Sequence, residues 1–74
     1  MSADLLGDAI DSVREADSDC DKIARLLRWV DRAMQEIPER ADEIELVASK
    51  LARGCSRCER ASGLLRDRVD QWRD

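Results

Sequence analysis

The chain has no histidine, no tyrosine and no phenylalanine. The first absence removes the side chain most used for acid–base work near neutral pH, and with it any zinc site that needs imidazole. The other two leave Trp29 and Trp72 as the only aromatics. A core must then be assembled from Leu, Ile, Val, Ala, Met and Cys. Proline occurs once, at Pro38, and no glycine-rich phosphate loop exists. No apolar run reaches the roughly 18 residues of a membrane span. The first eleven residues are acidic and lack the basic region of a secretory signal. Cysteine is scarce and odd in number, with Cys20, Cys55 and Cys58. These features lead us to expect a cytoplasmic protein in a reducing compartment that binds no membrane.

An enzyme is not expected either. Asp8 and Asp11, or Glu39 and Glu43, share helix faces, but charged residues make up 41% of the chain and such pairs arise by chance. No nucleophile–base arrangement accompanies them. No cofactor is implied.

What is there is a helical stripe. Within residues 20–37, apolar side chains fall at Cys20, Ile23, Leu27, Val30, Met34 and Ile37, in alternating steps of three and four. Leu26, Trp29 and Ala33 widen it on one flank. The same spacing runs from Leu6 to Trp72, interrupted only by the polar Ser62. Loops normally disturb a heptad phase, so long continuous helices are favoured over four short ones. The breaks are local. Asp17-Ser18-Asp19 ends a first helix, and Ser18 with Asp21 resembles a capping box. Pro38 lacks an N–H and disfavours helix at Ile37, yet suits the first position of a new helix. Ser2 is a fair N-cap for the first helix, and Gly7 weakens that helix. Gly54 and Gly63 are weak points further on, Gly54 in the place usual just past a helix end. The sequence therefore predicts one all-α domain over 1–74. It is a small helical hairpin or three-helix bundle with coiled-coil-like packing, its helices spanning roughly 3–17, 19–37 and 38–73, with a break at 53–55.

Charge is blocked along this pattern. Residues 1–21 balance at −6, 22–35 at +3, 36–49 at −4 and 50–74 at +3, for a net charge of −4. Such alternation suits antiparallel neighbours. Single surface pairs give about 0–1 kcal/mol each, so the pattern selects partners more than it stabilises.

Three groups of residues invite a functional reading. Cys55-Ser-Arg-Cys58 places two sulfurs on one helix face, with Cys20 as a third thiolate. A metal site or a redox pair would be the functional readings. The cysteines lie on the core stripe, however, and we read them as small buried residues. Lys50, Arg53, Arg57 and Arg60 line one helix side. They are either a contact for nucleic acid or an acidic partner, or a solvated face paired with the acids of the first helix. Trp29, Met34 and Leu65 are the candidate partner contacts, Trp29 foremost, because tryptophan is enriched at interfaces.

The functional expectation is a protein–protein interaction module: a helical adaptor, small subunit or inhibitor that lays an apolar helix face on a partner. A chain below roughly 80 residues rarely draws more than about 3–5 kcal/mol from a lone core, so a homodimer is expected to cover the rest of the stripe. The alternative is a nucleic-acid-associated regulator using the basic stripe.

Replacing Cys55 or Cys58 with Ala should lower stability by about 1–2 kcal/mol each, as a modest core truncation does. Urea titration reads the loss. Stoichiometric zinc in protein purified without added metal would contradict a purely structural role.

Overall fold

A computed structural model describes residues 4–54 and 60–73. Among them are four α-helices and one 3-10 turn, with no strand: α1 (Leu5–Val13), α2 (Asp19–Glu36), the turn Pro38–Arg40, α3 (Ala41–Ala52) and α4 (Ala61–Arg73). The all-α bundle expected from the sequence is present. It uses four helices in place of two or three, and the longest has 18 residues. At 1.5 Å per residue that helix accounts for most of the longest dimension, 31 Å.

The helix ends follow local chemistry. Asp4 caps α1, its Oδ1 accepting from Gly7 N at 3.0 Å. Ser2, the cap read from the sequence, lies outside the described residues. Gly7 has a use there, because a Cβ at that position would sit 2.6 Å from Asp4 Oδ2 and push the cap aside. The first helix stops at Val13 rather than near 17, and Ala16 N donates to Val13 O at 3.0 Å as the chain turns. Ser18 caps α2 as predicted, accepting from Asp21 N at 3.1 Å. The return half of the box differs: Asp21 Oδ2 accepts from Asp17 N at 3.2 Å, one residue before the cap. At the far end Ile37 leaves the helical region, with φ −139° and ψ 63°, before the proline that disfavours helix there. Pro38 starts a 3-10 turn, not an α-helix, and α3 begins at Ala41. Arg53 and Gly54 close α3, but Gly54 does not take the left-handed conformation of a typical helix-terminating glycine. Gly63 lies inside α4 facing open space.

The core sits between all four helices. Among the described residues it comprises Leu5 and Ala9 from α1, and Ile23, Leu26, Trp29, Val30, Ala33 and Met34 from α2. Ala41, Ile44, Ala48 and Ala52 come from α3, and Ala61, Leu65 and Val69 from α4. Val13, Leu27, Ile37, Val47 and Leu51 are half-buried at its edge. The buried face is rotated from the predicted stripe. On α2 it centres on Leu26, Trp29 and Ala33, the supposed flank, while Leu27 is only half-buried and Cys20 is exposed. On α1 Leu5 turns inward and Leu6 outward. The cause is helical pitch. A strict three-four heptad repeats every 3.5 residues, which only a supercoiled pair keeps in register, whereas short straight helices repeat every 3.6. Ala61, Leu65 and Val69, spaced by four, follow the straight-helix rule.

Trp29 is 2% exposed, Met34 3% and Leu65 0%. These three were expected as partner contacts, and the structure places each of them in the core of the single chain. Trp29→Ala should cost about 3–5 kcal/mol, as aromatic truncations in cores do. In a chain this small that loss removes most of the folded population, and circular dichroism at 25 °C should show it. Retained helical structure with weakened association would instead restore Trp29 as an interface residue.

Candidate functional site

Since the predicted contact residues are internal, the functional surface must lie elsewhere. Among the described residues the large apolar side chains left in solvent are Leu6 and Ile10 (45% exposed each), Leu46 (53%), Leu64 (49%) and Trp72 (44%). Single exposed apolar residues are ordinary. Leu6 and Ile10 are one turn apart on α1, and Val13, one turn further, is half-buried on the same side. Ile10 and Val13 also form one wall of a cleft of about 450 Å³. Its other walls are Ala16 in the α1–α2 connection, Leu51 of α3, and Lys22 of α2. The outer face of α1 thus leads into a groove with an apolar floor.

The groove's rim is ordered by charge. Arg14, Asp17 and Asp19 border it. The neighbouring Asp21 carboxyl is held below the ordinary carboxylate range, first by the Asp17 N–H and then by Arg25, whose Nε lies 3.2 Å from Asp21 Oδ2. This network fixes the connection between α1 and α2, and so the groove's end wall.

The basic stripe is partly in view. Lys50, Arg53 and Arg60 are exposed, and none forms an ion pair among the described residues. Arg57 lies outside the described residues, as do Cys55 and Cys58. The pairing of this stripe with α1 acids is not seen. Cys20, expected on the core stripe, is exposed at the start of α2; the first turn of a helix lies at the edge of a bundle. No group of His, Cys, Asp or Glu among the described residues is arranged to hold a metal ion. No helix there is long and apolar enough to cross a membrane.

Trp72, which the sequence left without an evident seat, is held at the surface by a polar anchor. Its Nε1 donates to Asp31 Oδ1 at 2.8 Å, while Arg68 Nη1 donates to Asp31 Oδ2 at 2.5 Å. One carboxylate of α2 therefore receives two donors of α4. On α3, Glu45 accepts Arg66 at 3.4 Å, and Asp42 pairs with Arg73. The basic C-terminal block meets the acidic 36–49 block, as charge alternation implies.

Comparison of the chain with protein-family models, with curated proteins and with solved structures gave no match. The surface must be read from its own chemistry. The signal for the outer face of α1 was present in the sequence: Leu5, Leu6, Ala9, Ile10 and Val13 make an apolar arc wider than one buried stripe needs.

Asp31→Ala should loosen α4 by about 1–2 kcal/mol, the sum of a partly exposed ion pair and one neutral-donor hydrogen bond. Asp31→Asn, which keeps an acceptor for the indole, should lose less. Urea unfolding of both variants checks the order, and equal losses would rule out a role for the carboxylate's charge.

Proposed function

We propose that this chain is a non-enzymatic protein–protein interaction module that binds another protein through the outer face of α1 and the groove beyond it. The observation that carries the reading is the Leu6–Ile10–Val13 line running into the cleft closed by Leu51. A partner helix or extended segment laid along that line would gain apolar burial at the centre and meet charges of both signs at the rim, the usual anatomy of an interface. The roles open to such a module are adaptor, small subunit or inhibitor. A second copy of the chain is one form the partner can take, now through α1 rather than through Trp29, Met34 and Leu65. A cytoplasmic setting agrees with this reading.

A second reading keeps the basic stripe. Lys50, Arg53 and Arg60 stand exposed, with no ion pair among the described residues, near the end of α3 and the start of α4, a disposition that suits phosphate contacts. No aromatic is interleaved with them for base stacking.

One experiment separates the two. The chain and its Leu6→Arg/Ile10→Arg variant are used as bait in source-cell lysate, with and without nuclease, and light scattering follows the purified chain alone. The interaction reading expects a nuclease-resistant partner, or self-association, lost in the variant while the helical spectrum is kept. Capture abolished by nuclease and by charge reversal at Arg53, but indifferent to Leu6 and Ile10, would put nucleic acid in first place.

A further inference from the structure

A second cleft lies between α2 and α1. It measures about 280 Å³ and is lined by Ser12, Arg25, Arg28, Trp29 and Arg32. Three of its five lining residues are arginines, and none is an acid. The spacing explains the convergence: residues 25, 28 and 32 lie at i, i+3 and i+7, so their side chains rise from one helix face. Arg25 is engaged by Asp21 at 3.2 Å. Arg28 and Arg32 form no ion pair among the described residues, in a chain with 17 acids and a net charge of −4. Three acids of α1 and α2 have closer partners, although Asp21 also feels the charge of Arg28. Asp21 also holds the Asp17 N–H, Asp31 on the same helix faces Arg68 and Trp72, and Asp11 pairs with Arg14. Ser12 donates its hydroxyl to Asp8 O, which leaves its oxygen as an acceptor only.

The floor of the cleft carries a further unmet demand. Trp29 Nε1 is buried and has no hydrogen-bond partner, the only such side-chain atom found among the described residues. A buried donor without an acceptor costs free energy, and three guanidinium groups drawn around one small space repel each other. A bound anion offsets the concentrated positive charge. Guanidinium forks match the oxygens of phosphate geometrically, and the cleft has the size of a small ligand, not of a protein segment.

We propose that this cleft binds a small multivalent oxyanion of the phosphate class, held by Arg28 and Arg32 with Arg25 as the third cation and Trp29 at the floor. The site is separate from the α1 groove, which opens between α1, the α1–α2 connection and α3 and shares no lining residue with it. The proposal therefore stands independently of the interaction reading.

The probe is inorganic diphosphate, titrated into the full ¹⁵N-labelled chain with sodium chloride holding ionic strength constant. The two indole N–H signals are distinguished by Trp72→Phe. The expected result is a saturable shift of the Trp29 indole signal. Arg28→Gln/Arg32→Gln should weaken it by roughly tenfold or more, since each lost charged contact counts for about that factor. Lys50→Gln/Arg53→Gln removes the same charge elsewhere and should leave affinity unchanged. Both variants alter exposed side chains, and a dispersed spectrum of each, like that of the wild type, checks that it folds. A Trp29 signal that stays still, or that drifts without saturation, overturns the site. So does an equal loss in the Lys50/Arg53 variant, which would reduce the effect to overall charge.

Discussion

Everything in this bundle depends on covering Trp29. It is the largest fully buried side chain and the only aromatic available to the core. Leu26, Val30 and Ala33 surround it on the same face of α2, and each is 0% exposed. No isolated helix can keep such a face from water, so α1, α3 and α4 are arranged as its three covers. Once those covers are in place, the second apolar line on α1 has nowhere to go but outward. The exposed apolar line is in that sense a remainder: α1 has two apolar sides and α2 requires only one.

How far the sequence revealed this arrangement varied with the kind of signal. Local chemistry was legible. Ser18 caps α2, and Ile37 leaves the helix before Pro38, because both effects depend on residues a few positions away. Fold class was legible from the apolar period. The phase of that period was not. A three-four count cannot distinguish a supercoiled pair from straight helices, and over 20 residues the two drift apart by about 60°. That ambiguity placed Leu27 and Cys20 inside and Trp29 on the flank. It also carried the contact prediction to Trp29, Met34 and Leu65. These residues are apolar and large for the reason that any core residue is, so type alone could not say which face stays wet.

Polar contacts show the same division. Alternating charge blocks anticipated that the basic C-terminal segment would meet the acid-rich 36–49 segment, and Arg66 and Arg73 do meet Glu45 and Asp42. The anchor at Asp31 was not anticipated. Its donors lie 37 and 41 residues away, and only the crossing of α2 with α4 brings them to one carboxylate. Arg28 and Arg32 of α2, which form no ion pair among the described residues, were likewise invisible in a charge total. A net charge counts acids and bases without recording which can reach which.

The alanines bear on how this chain copes with its small size. Six of the fifteen core residues among those described are Ala9, Ala33, Ala41, Ala48, Ala52 and Ala61. An alanine has no rotamers to lose, whereas a buried leucine or isoleucine forfeits about 0.5–1 kcal/mol and a methionine more. The helices of this bundle thus come together over side chains whose disorder in the unfolded chain was already minimal. Such a core gains little per residue and gives up little per residue, and its seams stay narrow. Enlarging any of those alanines would reverse both advantages, adding freedom to be frozen while forcing the helix axes apart.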